Sequence, residues 1–202
     1  MLPKSFKEWL LILLIIATFG YFIYEKMEQK HIAGIGPVEE QPIQERTQAP
    51  VIQNADYTIE PVARYAIRAK VLSTERYRFG RMSDLSPVDF ALGWGPMSHN
   101  DIVEKLNVRQ SDRWYYYSWK GSPPIDPADI VRASANTHLM PANDSVRSSL
   151  FKVRAGEIVN LKGYLVNVRH RDGWTWKTSL TREDSGGGSC ELMWVEEAMV
   201  EN

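Results

Sequence analysis

A single stretch constrains this chain more than any other, Trp9 to Tyr24 (WLLILLIIATFGYFIY), which carries no charge and is bracketed by Glu8 and Glu25. Its sixteen residues amount to about 24 Å of α-helix at about 1.5 Å per residue. They are apolar on every face, unlike the one-sided stripe of a helix lying on a soluble core. Lys4 and Lys7 precede the run and Lys26 and Lys30 follow it, while Trp9 lies at one end and Tyr21, Phe22 and Tyr24 at the other. Lysines that snorkel and aromatics at the interfaces are what a short membrane anchor uses against a hydrocarbon core about 30 Å thick. The sequence therefore predicts a single transmembrane helix over 9–24. A cleaved leader would need small residues at its end, and the first weak candidate is Ala33-Gly34. The lysines tie across the run, and the amino-terminal charge places the N-terminus inside. The resulting expectation is a single-pass protein of a bacterial inner membrane with its C-terminal domain in the periplasm.

The remainder divides by composition. Residues 1–8 form a short N-terminal segment, 9–24 the anchor, 25–54 a tether and 55–202 one β-rich domain. The tether reading rests on Gly34, Gly36, Pro37, Pro42 and Pro50 among many Gln and Glu, with no apolar period. From Val51 onward there are 19 Lys plus Arg and 19 Asp plus Glu. This balance speaks against a general nucleic-acid binder, which needs a basic surface.

Within the domain the fold class reads as α+β and β-rich, with short helices and a curled antiparallel C-terminal sheet. Alternation predicts strands over 63–72, 114–120, 134–142, 156–170, 174–180 and 190–196. Ser86-Pro87, Asn100, Asp126-Pro127 and Asp144 carry start signals for short helices. Gly163 interrupts the long strand and predicts a bulge or bend, and Arg171-Asp172-Gly173 predicts a hairpin turn. The run GEIVNLKGYLV resembles strands of OB-like or SH3-like barrels. The resemblance covers about forty residues and implies a small closed sheet.

Chemistry is sparse. No P-loop, dinucleotide-binding glycine pattern, HExxH or GxSxG motif occurs, so no cofactor, metal or small-molecule ligand is expected. The one cysteine, Cys190, excludes an intramolecular disulfide. Paired with His138 or His170, and with Asp184 or Asn136 to orient the histidine, its thiol would be a nucleophile behind the glycine run 186–188. The pattern SGGGSC faintly resembles the L,D-transpeptidase motif, but it lacks the neighbouring His and the following Arg, which excludes membership.

Arg76, Arg78 and Arg81, together with Trp114 and Trp119, form the alternative, an aromatic and arginine-bearing recognition surface. The expected function is accordingly a membrane-anchored envelope binding or assembly module whose partner is another membrane or envelope protein. A Cys/His-dependent hydrolase or transferase of the envelope is the first alternative and a cytoplasmic nucleic-acid module the second.

Overall fold

A computed structural model describes residues 6–30, 36–184 and 186–201. The chain falls into two compact units, Met1–Gly34 and Ile35–Asn202. Lys4, His31 and the Ala33-Gly34 pair lie outside the described residues.

The first unit holds helix α1 (Phe6–Lys30). Leu10, Leu11, Leu13–Ile16, Phe19 and Tyr21 are all exposed on it, and Thr18 Oγ1 donates back to the carbonyls of Leu14 and Ile15. Among the described residues no helix is long and apolar enough to cross a membrane. That overturns the expected transmembrane anchor over 9–24, and with it the single-pass inner-membrane placement and the periplasmic domain. The physical reason lies in the length. The uncharged run stops about 6 Å short of a bilayer core, and the helix continues through Glu25, Lys26, Glu28 and Lys30 rather than through more apolar residues.

The second unit is built on strands β1 (Ile43–Arg46), β2 (Ile52–Asn54), β3 (Tyr57–Arg76), β4 (Val88–Gly93), β5 (Leu106–Ser111), β6 (Trp114–Trp119), β7 (Ser134–Pro141), β8 (Ile158–His170), β9 (Thr175–Trp176) and β10 (Glu191–Glu201). Short helices α2 (Asn100–Val103), α3 (Pro127–Arg132) and α4 (Asp144–Leu150) lie between them. Strand β3 pairs with β4, β4 with β7, β7 with β10, β10 with β8, and β8 returns to β3. Five strands thus close into a ring, with α4 between the third and fourth of them. This is the Greek-key arrangement of an OB-type barrel. The sheet is mixed, because β7 and β10 run parallel. That corrects the antiparallel expectation, and the long connection through α4 and β8 is what allows a parallel pair to form.

Alternation along β3 sends Tyr65, Ile67, Ala69 and Val71 into the barrel, where they meet Phe90, Leu92, Leu139, Leu161 and Met193. A second cluster (Ile59, Met140, Val166, Leu192 and Trp194) lies apart from it, with Trp174 and Trp176 packed against it. Asp126 caps α3 through the amide of Ala128, and Asn143, rather than Asp144, caps α4 through the amide of Val146. At Gly163 an added Cβ would lie 1.9 Å from the Trp194 carbonyl oxygen. The facing strand β10 shifts register between Val195 and Glu197. The predicted irregularity is therefore shared between a glycine on one strand and a bulge on the other.

Three further expectations differ. The segment 25–54 is not a bare tether, since α1 extends to Lys30, β1 and β2 pair with β3, and Val38 is fully buried. Ser98 holds Val38 by accepting from its amide and donating to its carbonyl. The residues after Ser86-Pro87 form strand β4 instead of a helix, because every side chain from Val88 to Gly93 is buried between neighbours on both sides. Of the predicted return strand over 174–180, only Thr175 and Trp176 pair.

Candidate functional site

Three connections meet around the outer face of β4 and β7, namely residues 77–87, the tip of the β5–β6 hairpin, and residues 171–184 with 186–190. On the paired strands Asp89 faces His138 and Ala91 faces Asn136, so these alternate with the residues pointing into the barrel.

Asp89 is fully buried. Its Oδ1 accepts from Nη1 of Arg113 at 2.8 Å, and its Oδ2 lies 2.8 Å from Nδ1 of His138 at an angle outside that of a hydrogen bond. The Arg113 guanidinium stands 3.6 Å from the centre of the Tyr77 ring and 5.8 Å from that of Trp176. Nη1 of Arg113 also donates to Ser86 Oγ at 3.3 Å. The His138 ring packs on Trp176 with centroids 4.6 Å apart. His138 is thus a buried histidine set between the Asp89 carboxylate and the Trp176 indole.

Cys190 is half-buried immediately before β10. Its Sγ accepts from Asn136 Nδ2 at 3.7 Å. Burial pushes the thiol up to about 11, with Glu191, Asp89 and Asp184 adding to the rise and the Asn136 hydrogen bond opposing it. Such a thiol stays protonated and a poor nucleophile near neutrality. It lines a small cavity of about 120 Å³ with Trp114, Tyr115, Asn136 and Asp184. The structure therefore brings three sequence candidates together, Cys190, Asp184 and Trp114, but not as a nucleophile and its base. Asp184 accepts from Ser179 Oγ at 2.7 Å. His170 turns to Asp172 (2.8 Å) and to the Tyr57 ring.

The three arginines diverge. Arg76 donates to the carbonyl of Phe151, at the C-terminus of α4, and lies over its ring. Arg81 pairs with Asp172 at 2.6 Å, and its carbonyl accepts from Tyr57 Oη. That pair ties the 77–87 connection to the β8–β9 turn, where Gly173 takes a φ of 94°. The side chain of Arg78 is exposed and has no partner among the described residues. Trp119 lies on the half-buried face of β6 with Tyr115 and Tyr117, packed against the barrel core, whereas Trp114 and Tyr116 are each 41% exposed.

Between these loops runs an open groove of about 430 Å³, lined by Tyr77, Phe79, Arg81, Met82, Arg113 and Trp174 among others. Phe79, at its rim, is 91% exposed. Sequence reasoning missed Phe79, Tyr77, Asp89, Arg113 and Trp176. The signal for Phe79 was present, as an aromatic between Arg78 and Gly80 in a loop rich in arginine. Asp89 and Arg113 are 24 residues apart, and nothing in their spacing joins them. Among the described residues no group of His, Cys, Asp and Glu is placed to hold a metal ion.

No protein-family model, curated protein or solved structure matches the chain.

Proposed function

We propose that this chain is a binding module that receives a polypeptide segment in the groove between residues 77–83 and Trp174. The observation that carries the reading is Phe79, a large apolar side chain 91% exposed at the rim of an aromatic-walled groove. Exposed aromatics set beside arginines are the anchors of protein interfaces. The charges at the groove are mixed, since Asp112 lines it together with Arg81 and Arg113, and Arg81 is paired with Asp172. A phosphate backbone would meet both signs there, whereas a polypeptide can match both.

The Cys/His-dependent alternative has less support. The thiol is pushed up rather than down, and the polar group that bonds it is the side-chain amide of Asn136. The nucleic-acid alternative draws on the OB-type barrel alone, and fold by itself does not carry function.

The test is selection of binders from a displayed random-peptide library, followed by titration of the selected peptides into the wild-type chain and Phe79→Ala. The expected outcome is a loss of at least about tenfold in affinity, the scale of one interface anchor, with an unchanged melting temperature because Phe79 buries almost nothing. Peptides that bind both chains equally would overturn the reading. So would salt-sensitive binding of single-stranded oligonucleotides in the absence of any selected peptide.

A further inference from the structure

The β5–β6 hairpin turns through Asp112 and Arg113, both with positive φ (54° and 70°). A two-residue turn of that shape prefers Asn-Gly or Asp-Gly. An arginine at its second position is held against a local backbone preference. What holds it is a set of contacts to parts of the chain outside the hairpin. Its amide donates to Tyr77 Oη at 3.1 Å and its carbonyl accepts from Asn136 Nδ2 at 3.1 Å. Its guanidinium enters a cage of Tyr77, Trp176, Asp89 and Ser86.

The cage is anchored independently of the hairpin. The amide of Tyr77 bonds to the Pro87 carbonyl, Asp89 sits in the barrel sheet, and Trp176 pairs with Val168 and packs on His138. The hairpin is a separate two-stranded sheet with no strand pairing to the barrel. Arg113 also lines the open groove beside Phe79, so the cage communicates with solvent on that side.

We propose that the Tyr77–Trp176–Asp89 cage is a binding site for the guanidinium of an arginine side chain, filled in the resting protein by Arg113 as an internal occupant. A planar cation between two aromatic rings, with a buried carboxylate at its end, is the chemistry that recognises arginine and discriminates against lysine. An arginine-bearing polypeptide in the groove competes with Arg113, and the hairpin tip lifts when it wins. Trp114, the residue after Arg113, walls the Cys190 cavity, so lifting the tip uncovers the thiol. This deepens the reading of the groove as a polypeptide site and rests on that reading for the natural ligand alone.

The test uses the full chain and Nα-acetyl-argininamide as probe, with Nα-acetyl-lysinamide as comparison. Arg113→Gly suits the turn and empties the cage. It is expected to bind the arginine probe at least about tenfold more tightly than wild type, and the lysine probe no more tightly than wild type does. Cys190 in this variant is expected to react with a thiol-specific disulfide reagent at least about tenfold faster. Adding Asp89→Asn to Arg113→Gly removes the arginine binding, while adding Phe79→Ala leaves it, which separates the cage from the outer groove. A folded Arg113→Gly chain that ignores the arginine probe, takes both probes equally, or labels at the wild-type rate overturns the proposal. Should that variant unfold, Arg113→Asn, which tolerates the positive φ of the turn and also vacates the cage, is read by the same three measurements and the same outcomes.

Discussion

Glu191 begins β10 with its side chain inside the barrel unit, 4% exposed, and its Oε2 has no hydrogen-bond partner among the described residues. Burial pushes its carboxyl up to about 8, and Asp184 adds to the rise. Its own backbone amide and Arg182 oppose the shift without cancelling it. The folded state therefore keeps a proton that the unfolded chain releases near 4.5. Linkage then makes the native state lose stability as pH climbs from about 4.5 to about 8, with no further loss from this group above that range. Glu191→Gln removes the ionisation, so its stability measured by urea unfolding should fall less than that of wild type between pH 5 and pH 8.5. Parallel slopes for the two chains would show that the carboxyl ionises normally. Burial likewise raises the Cys190 thiol, since it disfavours the charged form of any acid.

At the scale of elements, the seam between β8 and β10 is the most demanding. The Trp194 carbonyl approaches Gly163 so closely that no side chain fits, and β10 bulges just beyond it. Gly163→Ala should cost about 1–3 kcal/mol, as overpacking does, and lower the melting temperature accordingly. Gly187→Ala, in a loop where an added Cβ meets nothing within 4 Å, serves as the control and should leave the melting temperature unchanged. The sequence marked Gly163 as an interruption because a glycine in a strand interior is otherwise unfavourable. It did not mark the partner, because register across β8 and β10 depends on residues some thirty positions apart. The β6 alternation was equally legible, with Tyr115, Tyr117 and Trp119 on one face. Which face meets the core was decided by the docking of the hairpin on the barrel.

For the whole molecule, the barrel unit begins before the predicted domain boundary at residue 55. Val38 fills the core, Gln41 accepts from the Trp94 indole at 3.0 Å, and β1 adds four residues to the edge of β3. A fragment of residues 36–202 should unfold cooperatively in urea. A fragment of residues 55–202 should lose at least about 3 kcal/mol, since it forfeits the buried side chains of Val38 and Pro42 and several buried hydrogen bonds. Equal stabilities would return 36–54 to the status of a tether.

By itself the sequence determined the strand-rich character of the unit, the start signal of α3, the β8–β9 turn and the alternating faces of β3, β6 and β8. These follow from local rules of period two, capping and turn chemistry, which act over a few residues. It also suggested an anchor in Trp9–Tyr24, because flanking lysines and aromatics are what a short anchor uses to make up for a run about 6 Å shorter than a bilayer core. The tertiary structure alone decided that five strands close into a ring with one parallel pair, and that residues 36–54 join the unit. It also decided that His138 and Cys190, both candidates for chemistry, serve separate neighbours, while Arg113 meets Asp89 and Tyr77. Those outcomes depend on strand pairing across long separations, where packing and buried charge choose among arrangements that local sequence leaves equivalent.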